Sequence, residues 1–231
     1  MTIFSEGGIS LTQIYIAKTH SLSDPRRFQQ MYESVPAHRR EKIDKIRFEK
    51  DKRLCLGAWL LLAAGLRNMG IAPDTLTLSY GQGGKPYLRE HPDIFFSLSH
   101  SGDRVMCAIS EAEVGCDVEQ VKVLNKKLAE RFFTREEYEA IADLSSQEEQ
   151  RQLFFRLWTL KESFMKVVGL GLALPLKDFS IDLSGREPRV TQQVNPDRPY
   201  YFREFSPEEG YRYACCAETP DFSPATILET L

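Results

Sequence analysis

The sequence has little of several features that would assign a class of protein at once. Its longest apolar run, residues 58–66, is too short to span a bilayer, and its N-terminus lacks the charged and apolar regions of a signal peptide. The five cysteines show no C-x-x-C spacing, which argues against a zinc site or a disulfide framework. These absences predict a cytoplasmic protein with no membrane association and with reduced, mostly buried thiols.

A strong net charge is also absent, since the 231 residues sum to −3 at pH 7. A balance so near neutrality argues against nucleic acid as the partner. The 42% of hydrophobic and 27% of charged residues are ordinary for a globular chain, and the length allows one large domain or two small ones. Residues 39–53 are the local exception, because they hold eight basic side chains against four acidic ones.

The order of the predicted elements repeats once along the chain. Leucines at helical spacing predict a long buried helix that ends at Gly70, and alternating patterns predict strands. The expected strands are 11–17, 75–80, 94–98, 104–110, 113–119, 178–183, 199–205 and 211–217, and the expected helices of the second half are 125–132, 134–143 and 148–168. Helices followed by strands, twice, predict an α+β fold of two similar halves, residues 1–112 and 113–231.

The segment GCDVEQ, residues 115–120, places two carboxylates on one face of a strand. Asp117 and Glu119 are two positions apart, so their side chains point the same way, while Cys116 and Val118 point to the core. Neighbouring carboxylates repel each other, and a divalent cation with oxygen ligands would offset that repulsion. The alternative is a solvated acidic end of a strand.

The helix at 148–168 carries a lysine where its pattern calls for an apolar residue. Lys161 falls inside the apolar arc, and such a lysine usually faces a polar cleft that holds an anion. Glu162 lies at the rim of the arc, four residues before Lys166. A glutamate beside two lysines could ligate a metal or accept a proton, although Glu162 and Lys166 could equally form an ordinary surface pair.

Two glycine-containing turns complete the candidate site. In FSLSHSGD, residues 96–103, Ser99 and His100 stand where a strand gives way to a turn, and such groups can bind phosphate. A structural histidine or a Ser–His catalytic pair are the alternatives, although no G-x-S-x-G segment supports the pair. GQGGKP, residues 81–86, is a loop with Lys85 as its charge, and it lacks the pattern of a Walker loop.

Taken together, these motifs resemble the 4′-phosphopantetheinyl transferases, in particular their larger, surfactin-type class. The resemblance rests on an ordered set of segments: GKPYL (84–88), FSLSHSGD (96–103), GCDVEQ (115–120), RFFTREEYEAI (131–141) and LWTLKESFMKVVGLGLALPL (157–176). It implies a pseudo-dimer of two α+β halves in one chain, usually monomeric, with coenzyme A in the cleft between them. It also implies transfer of phosphopantetheine to a serine of an apo acyl or peptidyl carrier protein, with release of adenosine 3′,5′-bisphosphate.

The resemblance also implies a role for each candidate residue. Mg²⁺ would be held by Asp117, Glu119 and Glu162, and Glu162 would in addition act as the general base. Lys166, assisted by Lys161, would stabilise the leaving bisphosphate. The remaining contacts to coenzyme A would come from Ser99, His100, Lys85, Pro86, Arg53, Arg40 and Lys42, although Leu54 stands where the family often has a hydroxyl residue.

The carrier protein is an acidic helical bundle, and the resemblance implies that it docks after the Asp-x-Glu strand. Residues 121–133 mix basic and apolar side chains there, which suits an acidic partner. An ordinary amphipathic helix is the alternative for that segment. A metal-dependent phosphohydrolase and a non-catalytic carrier-binding module are the alternatives for the whole chain.

Overall fold

The computed structural model describes residues 11–81, 83–191, 195 and 197–231. The strands are β1 (Thr12–Lys18), β2 (Leu78–Tyr80), β3 (Pro86–Leu88), β4 (Phe95–Ser101), β5 (Arg104–Ser110), β6 (Val114–Gln120), β7 (Ser180–Asp182), β8 (Arg189–Thr191), β9 (Tyr201–Phe205), β10 (Tyr211–Ala217) and β11 (Phe222–Leu228). The helices are α1 (Pro25–Glu33), α2 (Ala37–Asp44), α3 (Glu49–Asn68), α4 (Lys126–Phe132), α5 (Arg135–Ala142) and α6 (Gln147–Val168). Short 3₁₀ helices lie at His20–Ser23, Pro73–Thr75, Gly171–Ala173 and Leu176–Asp178.

Each half packs one long helix on one sheet. In the first half, α3 buries Trp59, Leu62 and Leu66 against the sheet of order β11-β1-β5-β4. In the second half, α6 buries Leu160 and Phe164 over the sheet of order β6-β10-β9. Burial of these apolar faces is the main favourable contribution to folding. The α+β fold of two halves that the sequence predicts is confirmed.

Helix α6 begins and ends on local signals in the sequence. Ser146 and Glu149 form a reciprocal capping box at its start, which satisfies backbone N–H groups that the first turn leaves unpaired. Gly169 follows its last residue with φ near +75°, in the left-handed region that glycine adopts without strain. These ends fix the register of the helix and therefore the direction in which its polar side chains point.

The inner faces of the two sheets meet in a third apolar cluster. Strands β1 and β5 contribute Ile14 and Met106, and strands β6 and β10 contribute Val118 and Cys215, all of them buried. Four of the five cysteines are buried, as the sequence predicts, and Cys116 is one of them. The two halves therefore share this third cluster, and β4 of the first half lies beside β6 of the second.

The C-terminal strand is the main departure from the expected division of the chain. Strand β11 pairs in parallel with β1 of the first sheet, so its residues complete the first half although they were expected in the second. Its sequence shows no strict alternation and its partner lies far away in the chain, which is why the sequence did not indicate it. The short strands β3 and β8 were not predicted, and the strand expected at 75–80 is only Leu78–Tyr80. No helix in the described part of the chain is both long and apolar enough to cross a bilayer.

A buried arginine joins the two halves at one end. Arg104, at the start of β5, donates from Nε and a terminal nitrogen to both carboxylate oxygens of Glu208, at 2.5 and 2.6 Å. Tyr213 also donates its hydroxyl to Glu208, at 2.8 Å. The hydrogen bonds from Arg104 lower the pKa of Glu208 to about 2. Bidentate pairs of this kind are among the stronger hydrogen bonds in proteins.

We expect Glu208→Gln to lose stability in a pH-dependent way. Because the folded pKa lies below the ordinary value near 4.5, the ion pair contributes fully above about pH 4.5 and is lost as the pH falls toward 2. Urea unfolding should place the variant about 2 kcal/mol below the parent at pH 6, a figure discounted for partial exposure, with the gap closing toward pH 3. Glu209→Gln, at an exposed neighbour, is the control. A gap that stays constant with pH would contradict the assignment.

Candidate active site

The candidate site lies where β4, β6 and α6 come together. Gly115 of β6 makes this possible, because a Cβ at that position would collide with the backbone of Ser163 and Val167 in α6. The missing side chain lets the helix lie directly on the strand. Glu162 and Lys166 of the helix are thereby brought beside Asp117 of the strand.

Asp117 is the centre of the arrangement and is only 4% exposed. Its Oδ1 accepts a hydrogen bond from Ser99 Oγ at 2.7 Å and forms an ion pair with Lys166 Nζ at 2.8 Å. Lys166 also donates to the Cys116 carbonyl oxygen at 3.0 Å. The other oxygen of the carboxylate, Oδ2, is buried with no hydrogen-bond partner. Since a buried unpaired carboxylate oxygen is costly, it indicates a group that this site can still bind.

Glu119 and Glu162 surround Asp117 with further negative charge. Burial raises the pKa of Glu162, and the charges on Asp117 and Glu119 raise it further, while Lys166 opposes them. Burial also raises the pKa of Glu119, against a hydrogen bond from Ser101 Oγ at 2.7 Å. Both carboxylates therefore hold a proton more readily than usual, as expected for buried acidic groups beside other negative charges.

The three predicted metal ligands are close enough for their charges to affect one another, but their oxygens do not converge on one position. Within the described ranges, no group of three or more His, Cys, Asp or Glu side chains is arranged to hold a metal ion. The Lys166 ammonium neutralises Asp117 instead. Burial disfavours the ammonium, but the charge and hydrogen bond of Asp117 together with the charges on Cys116 and Glu162 outweigh it, so the pKa of Lys166 is raised above its ordinary value.

A cleft of about 310 Å³ opens beside these residues and is lined in part by Glu162, Lys166, Lys85 and Pro86. The Lys85 ammonium does not point into open space. It binds Glu113 at 2.5 Å and the carbonyl oxygens of Val114 and Val167 at 3.0 and 3.2 Å. The predicted pair Lys85 and Pro86 thus lines the cleft, but Lys85 does so with its aliphatic stem.

Ser99 and His100 are neighbours on β4 but have different surroundings. The Ser99 hydroxyl donates to Asp117, so its proton is engaged within the protein and is not directed at a phosphate. His100 is exposed on β4, and in the described part of the chain no hydrogen bond joins it to a serine, which gives a Ser–His catalytic pair no support. Packing around the ring, and next the charge on Lys166, lower the pKa of His100, which favours a neutral imidazole.

The prediction that Lys161 faces the cleft is wrong. Its side chain is 0% exposed and lies in the core of the second half. The ammonium binds Glu137 Oε2 at 2.7 Å and the Phe179 carbonyl oxygen at 2.5 Å, and it lies over the ring of Phe179. The pattern correctly indicated an anionic partner, but that partner is a carboxylate of the protein. Burial lowers the pKa of Lys161, and Glu137 opposes this shift.

The basic residues predicted to bind the coenzyme each have different contacts in the structure. Arg40 donates to the Val35 carbonyl oxygen at 2.6 Å, and Lys42 is exposed, with its ammonium 3.4 Å from the Tyr80 hydroxyl. Arg53 is half-buried on α3, and no partner for its guanidinium is found among the described residues. Sequence reasoning missed Glu137, Ser97 and Ser101 as contributors, although the alternation of Ser97, Ser99 and Ser101 is present in the sequence.

Comparisons with known proteins identify a family over most of the chain. Residues 113–216 match the 4′-phosphopantetheinyl transferase superfamily, and residues 23–112 match the family described as 4′-phosphopantetheinyl transferase, N-terminal. The chain therefore belongs to the 4′-phosphopantetheinyl transferase superfamily and is a transferase, as its motifs predict.

Individual proteins similar to this chain indicate which class of 4′-phosphopantetheinyl transferase it resembles. A 4′-phosphopantetheinyl transferase of Bacillus subtilis is 33% identical over 87% of this chain and 89% of its own length. The 4′-phosphopantetheinyl transferase Sfp of Bacillus subtilis strain 168 is 32% identical over 90% of this chain and 92% of its own. These matches confirm the larger, surfactin-type class. Among solved structures, a holo-(acyl-carrier-protein) synthase from Bacillus anthracis in complex with CoA (3′,5′-ADP) is 18% identical, covering 46% of this chain and 94% of that one, with a TM-score of 0.39.

Proposed function

We propose that this transferase moves the 4′-phosphopantetheine group of coenzyme A to a serine of an apo acyl or peptidyl carrier protein and releases adenosine 3′,5′-bisphosphate. The observation that carries the proposal is the placement of Lys166 and Glu162 beside the buried Asp117, next to a cleft. A carboxylate cluster that can hold a divalent cation, beside the Lys166 ammonium, suits the stabilisation of negative charge that develops on phosphoryl oxygens.

The donor chemistry of the same residues suits a bound Mg²⁺, although among the described residues their side chains are not arranged around one point. The unpartnered Oδ2 of Asp117 and the raised pKa values of Glu119 and Glu162 indicate negative charge in excess of what Lys166 neutralises. Hard oxygen ligands of this kind suit Mg²⁺. Asp117, Glu119 and Glu162 would hold the ion, which supplies positive charge against the coenzyme pyrophosphate when it is bound.

Two residues of α6 would handle the proton and the leaving group. The phosphorus that carries pantetheine forms a bond to the serine oxygen as its bond to the bridging pyrophosphate oxygen breaks. Glu162 would accept the serine proton, a role that its raised pKa favours. Lys166, held as an ammonium by Asp117, would stabilise the negative charge on the departing bisphosphate.

The nucleotide would lie toward the first half of the chain. Arg53, Lys42 and Arg40 come from the basic segment that precedes and begins α3, and His100 is exposed at the end of β4. A neutral His100 would donate a hydrogen bond to a phosphate, and the phosphate charge would in turn favour protonation of the ring. Arg53 is the strongest of these candidates because its guanidinium has no internal partner in the described chain.

Intact mass spectrometry of a carrier protein tests the proposed activity. The transferase is incubated with coenzyme A, Mg²⁺ and an apo carrier, and the expected result is a mass gain of one phosphopantetheine on the carrier. A carrier whose acceptor serine is replaced by alanine should gain nothing. Cleavage of coenzyme A with both carriers unmodified would indicate a phosphohydrolase, and no reaction at all would indicate a binding module.

The segment 121–133 is proposed as the docking surface for the carrier. Val123 is 90% exposed and Leu128 is 38% exposed, which is unusual for apolar side chains beside so many charges. The basic side chains Lys122, Lys126, Lys127 and Arg131 are all exposed around them. An acidic carrier would be attracted by the charges and held by the apolar contacts.

The double variant Lys126→Glu with Lys127→Glu is expected to raise the KM for the carrier about tenfold at low salt and to leave kcat nearly unchanged. The difference from the parent should shrink as salt is added, because exposed charges are screened. Steady-state loading kinetics at two ionic strengths measure both effects. Arg67→Glu, at an exposed position of α3, is the control. An equal rise in KM for the control variant would rule out a specific docking surface.

A further inference from the structure

Among the described residues, no strand pairs by backbone hydrogen bonds with the edge of β6 that faces β4. On its other edge, β6 pairs with β10 in antiparallel register. On the edge toward β4, the backbone N–H groups of Cys116, Val118 and Gln120 donate to serine hydroxyls of β4. Their acceptors are Ser97 Oγ at 3.0 Å, Ser99 Oγ at 3.3 Å and Ser101 Oγ at 3.1 Å. We call this set of contacts the serine ladder.

Alternation on both strands produces the serine ladder. Serines at every second position of β4 point to the same side, and every second N–H of β6 points toward them. A side-chain hydroxyl thus replaces the backbone carbonyl that a neighbouring strand would provide. The arrangement joins the two halves at the strand that carries Asp117 and Glu119.

Two of the three serines have a second contact. A hydroxyl that accepts an N–H still has its own proton to donate. Ser99 donates it to Asp117 Oδ1 and Ser101 donates it to Glu119 Oε2, each at 2.7 Å. Ser97 lies one step back along the ladder, where β6 has Gly115 and no carboxylate to receive a proton. Ser97 therefore takes part in the serine ladder but makes no contact with a carboxylate.

Each acidic side chain is held through one oxygen only. Asp117 Oδ1 is bound by Ser99 and Lys166, while Oδ2 has no partner. Glu119 Oε2 is bound by Ser101, and in the described part of the chain no hydrogen bond reaches Oε1. Fixing one oxygen of a carboxylate sets the direction of the other, so both side chains are oriented before a ligand arrives.

We propose that Ser99 and Ser101 are positioning residues that fix Asp117 and Glu119 through one oxygen each and so present the second oxygen to a divalent cation. This proposal rests on the proposed function, because it concerns the carboxylates assigned there to the metal. It gives Ser99 a different task from the phosphate contact expected from the sequence, and it adds Ser101, which the sequence did not single out.

The test compares alanine variants of the three serines by direct binding of Mn²⁺, measured by electron paramagnetic resonance with coenzyme A present and no carrier. Ser99→Ala and Ser101→Ala should each weaken Mn²⁺ binding about tenfold, the scale found when partners of metal ligands are removed. Ser97→Ala removes a rung but no contact to a carboxylate, so its Mn²⁺ affinity should equal that of the parent. All three should lower the melting temperature, Ser97→Ala the least, because it loses one hydrogen bond where Ser99→Ala and Ser101→Ala each lose two.

Ser101→Thr keeps the hydroxyl and should restore Mn²⁺ affinity. If Ser99→Ala does not fold, the comparison of Ser101→Ala, Ser101→Thr and Ser97→Ala decides the question. Equal Mn²⁺ affinity for all variants, or an equal loss for all three alanine variants, would overturn the positioning role while the parent still loads carriers. A parent protein that neither binds Mn²⁺ nor loads a carrier would overturn the proposed function together with it.

Discussion

Replacing Asp117 by alanine is expected to lower kcat/KM for carrier loading about 10³-fold, which corresponds to about 4 kcal/mol of transition-state stabilisation. Asp117 holds Lys166 by an ion pair of 2.8 Å and carries the unpartnered buried Oδ2. Its loss removes a proposed metal ligand and leaves a partly buried ammonium without its counter-charge. Both changes raise the free energy of a transition state in which phosphoryl oxygens gain charge.

Loading kinetics at several Mg²⁺ concentrations measure the effect of Asp117→Ala. The Mg²⁺ concentration for half-maximal rate should rise together with the fall in kcat. Asp93→Ala, at an exposed aspartate, is the matched control and should behave like the parent. Parent-like loading by Asp117→Ala in the presence of excess chelator would show that neither the carboxylate nor a divalent ion takes part.

Replacing Lys161 by methionine is expected to lower the free energy of unfolding by about 3–5 kcal/mol, the usual cost of removing one partner of a buried ion pair. The Glu137 carboxylate, itself 5% exposed, would be left in the core without a cation. Glu137 also accepts N–H groups of Thr134 and Ile181 at 3.0 and 2.9 Å. The pair thereby connects α5, α6 and β7, and its loss should loosen all three elements.

Denaturant unfolding of single and double variants isolates the interaction between the two charges. Lys161→Met combined with Glu137→Leu should cost clearly less than the sum of the two single changes, because the double variant leaves no unpaired charge in the core. Lys177→Met, at an exposed lysine, should change stability by less than about 0.5 kcal/mol. Strictly additive losses in the double variant would show that the two charges do not depend on each other.

Lys161 also shows why part of the site could not be predicted from the sequence. The helical pattern identified a lysine inside an apolar arc and correctly required an anion opposite it. Glu137 lies in a different helix, and only tertiary packing brings it to Lys161. A pattern within one element cannot distinguish an external ligand from a carboxylate of the same protein, so the residue was assigned to the cleft.

Elements with strong periodicity were predicted well for the opposite reason. Residues 104–110 and 211–217 coincide with β5 and β10, and the helix expected at 148–168 is α6. The shared face of Asp117 and Glu119 follows from strand alternation alone, and contacts to Ser99 and Ser101 confirm it. The parallel pairing of β11 with β1 joins distant parts of the chain, and no local pattern specifies such a partner.

The most direct test of the proposed transfer compares two amounts: the adenosine 3′,5′-bisphosphate that is released and the carrier protein that is modified. Chromatography of the nucleotide and intact mass of the carrier give both quantities from one reaction. We expect one bisphosphate for each carrier loaded, and neither product when Mg²⁺ is withheld. Bisphosphate released in excess of modified carrier, or at the same rate without a carrier, would contradict transfer to a protein serine and show that water is the acceptor.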